Sequence, residues 1–186
     1  FFNFLKERND PRLRHMVAVY TDPYDPSTKN DDPAIQKGLP NGLDRFTLEN
    51  DPSFDPNHPA QENQYSTLNR DVYGKLDGYR MLLTYAETQL LLAEAAVRGW
   101  ISGDAKTYYD NGVRGDMQNV ASYEPSAVIT ESEINEYLEN NPYIGSNNQE
   151  AALEQINSQY WVATFMNGYE AFANYRRSGY PELVPV

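Results

Sequence analysis

The chain has 186 residues and a net charge of −12, from 27 acidic against 15 basic side chains; this excludes a nucleic-acid binder, which needs a basic face for phosphates, and adsorption to an anionic membrane surface. An apolar fraction of 40% with 13% aromatics excludes an intrinsically disordered chain, and no apolar run approaches the roughly 18 residues of a membrane-spanning helix. There is no cysteine, and His15 and His58 are the two histidines, so disulfides, thiolate catalysis and Cys- or His-rich metal sites are excluded, within a length that one hydrophobic core, or part of a larger one, can span.

Phe1, Phe2, Phe4 and Leu5 read as the end of a helix already under way, and the chain closes on Pro185-Val186. It is expected to be an internal or processed piece, in which a missing targeting signal carries no information on localisation. Met16 to Tyr20 has the make-up of a short strand. Residues 21–60 hold seven of the 12 prolines. Each Pro removes a donor and pushes its preceding residue to extended conformations, so helix is limited here to a turn or two near Leu43 to Leu48. Residues 61–80 continue polar. Tyr20, Tyr24, Tyr65, Tyr73 and Tyr79 favour an ordered loop over a disordered one.

From Thr84 the pattern is helical. Thr84 and Glu87 form a capping box, Gly99 is placed to end the helix, and Leu83, Ala86, Leu90, Ala93 and Val97 make one apolar stripe. Leu91, Leu92, Ala95 and Ala96 widen it, which predicts burial on most sides and the most buried helix of the chain. A second helix, capped by Asp104, is expected from Ala105 to about Val120, and the short link between them predicts an antiparallel hairpin. Thr130 and Glu133 cap a third, which stops before Pro142. A fourth begins near Asn148 and is expected to bury Leu153, Ile156, Tyr160, Ala163 and Trp161. A fifth runs from Tyr169 to Arg177, with Gly179 and Pro181 as stop signals. The fold class is mainly α, with no parallel-sheet rhythm. The helix hairpin is of tetratricopeptide type without a 34-residue internal repeat.

Chemistry is sparse. Glu87 and Glu94 lie seven apart on one helix, but Leu90 and Val97 stand where a di-metal bundle places histidines. Glu87 is expected in its capping box and Glu94 against an arginine. Asp22, Asp25, Asn30, Asp31 and Asp32 offer oxygens to Ca²⁺, yet lack the glycine of an EF-hand loop, and turn formation competes for the same atoms; no other cofactor is expected. No nucleophile elbow, phosphate loop or dinucleotide fingerprint is present. With 27 acids, the carboxylate spacing of a glycosidase selects no pair. Arg176-Arg177 reads as a helix C-terminal pair that bonds neighbouring acids. The best site is the aromatic-polar loop: Tyr65 and Tyr73 as stacking rings, with Asn63, Gln64, Asn69 and Tyr24 beside them, a combination suited to sugars. The competing reading is that these tyrosines pin the loop to the helices.

Tyr85-Ala86-Glu87 through Ala93-Glu94-Ala95-Ala96, then Arg98-Gly99, resembles the "YAE…L…AEA" helix of the SusD/RagB family. Ala105, Tyr108-Tyr109 and Gly112-Val113-Arg114 continue the match. Gln155-Ile156, Tyr160-Trp161, Phe165 to Ala171 and Arg176-Arg177-Ser178-Gly179-Tyr180-Pro181 resemble its "W…F…G.EA….RR.GYP" segment, and Asn9-Asp10-Pro11-Arg12-Leu13 its "DPR" motif. Tyr160 departs from a commonly basic position, and Ser178 from a common Thr. The resemblance implies a SusD-like helical fold with tetratricopeptide-like hairpins and one long irregular loop. Residues 1–186 would form part of a single such domain, with 1–80 loop-rich and 81–183 helical. The N-terminal half, with its lipid anchor, would lie outside them. It further implies a surface-exposed outer-membrane lipoprotein of Bacteroidetes-type bacteria. Such a protein is not an enzyme; it captures glycan, or sometimes peptide, for a SusC-like TonB-dependent transporter. The family has no invariant ligand residues, so none carries over.

Overall fold

The computed structural model describes residues 1–183, the side chains of Gln61 and Glu62 excepted; the closing Pro185-Val186 lies outside them. Among the described residues there are seven α-helices and one three-stranded sheet, which fall into a unit over 1–78 and a second over 79–185.

The first unit is built from α1 (Phe2–Glu7), α2 (Leu13–Met16), β1 (Val17–Tyr20), β2 (Lys29–Asn30) and β3 (Thr67–Leu68). The strand read at Met16 to Tyr20 is β1. It is central, antiparallel to β2 through Val19↔Asn30 and to β3 through Val17↔Leu68. Its two partners are each two residues long, too short to show an alternation in sequence. Between them the chain is held by side chains that bond backbone. Gln36, fully buried, donates to the carbonyls of Asn30 (2.8 Å) and Asp32 (3.1 Å) and accepts from the Ser66 hydroxyl. Such bonds replace the ladder a loop lacks. The "DPR" stretch is a buried ion pair. Asp10 accepts from Arg12 Nε at 2.9 Å and from its Nη2, and neither side chain reaches solvent.

The second unit is helical: α3 (Tyr85–Val97), α4 (Ala105–Tyr123), α5 (Glu131–Asn140), α6 (Gln149–Ala163) and α7 (Gly168–Ser178). Both predicted capping boxes form, Thr84 with Glu87 and Thr130 with Glu133. Gly99 takes φ 71°, and the Trp100 amide reaches back to the Ala95 carbonyl at 2.9 Å, which closes α3. The chain then reverses into α4, which Asp104 caps. α3 and α4 meet closely because of Gly112. A Cβ there would lie 2.6 Å from Leu90 Cγ, so the helix-interior glycine, a local cost, is what lets Leu90 seat. α3 also packs on α6, α6 on α7, and α4 on α5.

Two expectations are corrected. α3 is not buried on most sides: Ala86, Glu87, Leu90, Ala93 and Glu94 are buried, while Tyr85 and Leu91 are exposed, as is Leu83 just before its cap. The most buried helix is α6. Eight of its 15 residues are buried, against five of 13 in α3, because Asn157, Ser158 and Gln159 go inside with the apolar residues.

Candidate functional site

The loop tyrosines divide. Tyr65 is buried. Its hydroxyl donates to Asp51 at 2.6 Å, and the Lys37 ammonium lies 4.6 Å over its ring. Burial and the Asp51 carboxylate push its pKa up to about 12. The Tyr65 hydroxyl, with bonds from Ser53, in turn holds Asp51 below the usual carboxylate range. Gln64 belongs to the same knot: buried, it accepts from Lys37 Nζ (2.6 Å) and the Asp55 amide (3.0 Å) and donates to the Asp55 carbonyl. Asn69 is buried beside β3, donating to the Arg14 carbonyl and accepting from the Asp71 amide, while its own carbonyl takes the amides of Val72, Tyr73 and Gly74. Tyr65, Gln64 and Asn69 therefore pin the loop rather than line its surface. Asn63 and Tyr73 are half-buried, and Tyr24 is 94% exposed.

The acidic stretch is spent on turns. Asp22 accepts from the Tyr24 amide (2.8 Å), Asp25 from Ser27, Asn30 from Asp32, and Asp32 from Ala34, while Asp31 pairs with Lys29. Among the described residues no group of three or more His, Asp or Glu is disposed to hold a metal. Asp22, Asp25, Asp31 and Asp32 therefore form no such group, and one oxygen of each serves a turn or an ion pair.

Tyr24 is fixed at its base. Pro23 precedes it. The Thr28 hydroxyl bonds the carbonyls of Asp22 (3.0 Å) and Asp25 (2.7 Å), and Arg70 Nη1 donates to the Pro23 carbonyl at 2.6 Å. The Arg70 guanidinium lies 4.3 Å over the Tyr20 ring of β1, and its amide donates to the Tyr20 hydroxyl. Phe46 is displayed in a related way, its amide bonded to Asp44 at 2.9 Å and its ring 83% exposed. The sequence reading missed Phe46 and Arg70. The signal for Phe46 was available: an Asp two residues before an aromatic, as in Asp22-Pro23-Tyr24, forms an Asx turn.

In the helical unit the motif residues bind one another. Arg177 of α7 donates to Glu94 of α3 through both terminal nitrogens, one at 2.8 Å, and to Asn157 and Asn174; Arg98 adds a bond at 2.8 Å. Burial works to raise the Glu94 carboxyl, but the bonds from Arg177 and Arg98 win and hold it low. Glu87, with Glu170 and Asp116 nearby, is pushed up, mainly by burial. Tyr160 donates to Glu170 at 2.8 Å. Glu87 and Glu94 thus take the structural roles expected of them. No helix among the described residues is long and apolar enough to cross a membrane.

The comparisons agree on one family. The family model SusD-like, described as starch-binding and associating with the outer membrane, matches residues 1–186. Solved structures similar to this chain include a SusD homologue from Bacteroides fragilis at 30% identity, with a TM-score of 0.76 over 98% of this chain and 39% of that one. A Bacteroidetes SusD-like protein aligns at 26% identity and TM-score 0.77, over 100% and 43%. A chitin-binding protein aligns at 27% and 0.74, over 99% and 37%. The chain spans about two fifths of the length of these structures. No curated protein matches it.

Proposed function

The chain belongs to the SusD-like family of outer-membrane-associated proteins, and on that premise we propose that it is part of a surface lipoprotein that binds glycan and hands it to a SusC-like TonB-dependent transporter. The family match over residues 1–186 carries this reading, and the similarity to a chitin-binding protein supports it. Residues 1–186 then form one part of a larger SusD-like domain, anchored by a lipid outside them.

The role is binding rather than catalysis. Glu87 closes a capping box, Glu94 is neutralised by two arginines, and Asp51 is held by Tyr65 and Ser53. These three carboxylates are engaged in holding the fold, and it is the family match that supports a binding role. The ligand meets the loop-rich unit, where Tyr24 is the exposed ring of the group, with Asn63 and Tyr73 half-buried and Tyr65, Gln64 and Asn69 turned inward.

The test is affinity electrophoresis of the full-length protein in gels cast with soluble starch, glycol chitin or casein, with reducing-sugar release measured alongside. Retardation by a polysaccharide without sugar release supports the reading. Retardation by casein alone makes it a peptide binder, and steady sugar release makes it an enzyme. Co-purification of a barrel transporter with the tagged protein tests the partner.

A further inference from the structure

Resting on the glycan reading above, we propose that Tyr24 is a stacking residue for a pyranose ring and that Arg70 is the residue that positions it. The argument begins with cost. An exposed tyrosine on a mobile loop must be immobilised when ligand binds, and ordering such a side chain and its loop subtracts from affinity. At Tyr24 much of that ordering is already done. The Asp22 carboxylate holds the Tyr24 amide at 2.8 Å, and the Thr28 hydroxyl bridges the carbonyls on either side of the turn. Pro23 and Pro26 fix φ at two further positions.

A rigid turn still has to be aimed, and here Arg70 acts. Its guanidinium donates to the Pro23 carbonyl, next to Tyr24, and stacks on Tyr20, a buried residue of β1. One planar group thus joins the turn to the sheet. The joint is buttressed: Lys29 of β2 pairs with Asp71, the residue after Arg70. Lysine cannot replace the arrangement, since an ammonium has no plane to stack while it donates.

The consequence is a ring 94% exposed on a base held by four hydrogen bonds. Solitary exposed apolar groups are ordinary on protein surfaces, and Phe46 serves as the comparison. Its turn is closed locally by Asp44 and Thr47, and its phenyl ring lacks a hydroxyl. Tyr24 combines an apolar face, which fits the C–H face of a sugar, with a hydroxyl in water that can bond a ring substituent.

The experiment uses the full-length protein in affinity gels with soluble starch and glycol chitin, and circular dichroism to confirm the fold of each variant. Tyr24→Ala is expected to weaken retardation about tenfold, by analogy with bases stacked on aromatics. Tyr24→Phe recovers most of it, and Phe46→Ala leaves it unchanged. Arg70→Met is expected to weaken binding several-fold in the presence of Tyr24 and to add nothing to Tyr24→Ala, because it acts through that ring. Should Arg70→Met fail to fold, Arg70→Lys carries the same comparison. Unchanged binding in Tyr24→Ala, an equal loss in Phe46→Ala, or additive losses for Tyr24 and Arg70 overturn the inference. If neither polysaccharide retards the unsubstituted protein, it is the glycan reading beneath it that fails.

Discussion

Removing Arg177 tests the account of the helical unit. The Glu94 side chain is 3% accessible and that of Arg177 43%. Arg177→Ala deletes two charge-assisted bonds to Glu94 and those to Asn157 and Asn174, leaving Glu94 with Arg98 alone. Breaking a fully buried ion pair costs about 3–5 kcal/mol. Arg177 is partly solvated and Arg98 survives, so a cost of about 2 kcal/mol is expected, on the scale of bonds to charged groups. For a chain of this length that corresponds to a fall in Tm of roughly 4–8 °C. The assay is urea denaturation followed by tryptophan fluorescence, run as a cycle with Glu94→Gln. The two losses should be strongly non-additive, since each removes the same contact. The pH dependence has a definite sign. Glu94 is held below its unfolded value, so its contribution is present above the unfolded carboxyl range near 4.3 and is lost as pH falls through the folded value. Arg177→Ala should flatten that acid limb. A loss under about 0.5 kcal/mol, well short of a charged hydrogen bond, or additive single losses would refute the reasoning.

Leu90→Ala should cost about 2–5 kcal/mol through a cavity, and Gly112→Ala about 1–3 kcal/mol by overpacking against Leu90, both read from denaturation midpoints. Glu87→Gln keeps the capping box while removing a carboxylate whose raised pKa makes its stabilisation fade as pH rises through the folded value; the variant should match or exceed the parent in Tm at pH 7 and lose that advantage near pH 4. Tyr65→Phe leaves Asp51 without its 2.6 Å donor and should lower stability by about 1 kcal/mol, with loop amides near Gln64 exchanging faster by hydrogen exchange. Expressed alone, residues 1–186 should self-associate through Leu82, Leu83, Tyr85, Leu91 and Trp100, which are exposed on the helical unit; a monomer by sedimentation would contradict this.

The helical half was legible because its signals are local. Caps such as Thr84 with Glu87 and Asp104, and the stop at Gly99, depend on neighbours within a turn or two. What failed was depth. Leu91 and Tyr85 count as apolar wherever they point, and Asn157 and Gln159 count as polar although α6 buries them, with Asn157 bonding the Leu153 carbonyl and Gln159 the Tyr137 hydroxyl. The loop was legible in composition and opaque in geometry. Nothing near Tyr65 in sequence announces Asp51, 14 residues away, so a stacking ring and a buried pin look alike until the partner is seen. In sequence "AEA" and "RR.GYP" stand as two separate motifs; in the structure Glu94 and Arg177 join them as the two ends of one ion pair.

β1 pairs with β3 across nearly 50 residues of chain, yet both partners of β1 are only two residues long. Closing so long a loop has already incurred most of its entropy, and each doubling of a flexible loop adds only about 0.6 kcal/mol. The stretch between Asn30 and Thr67 is therefore free to lengthen, shorten or exchange residues over evolutionary time with little penalty, provided that anchors such as Gln36, Asp51 and Tyr65 are kept.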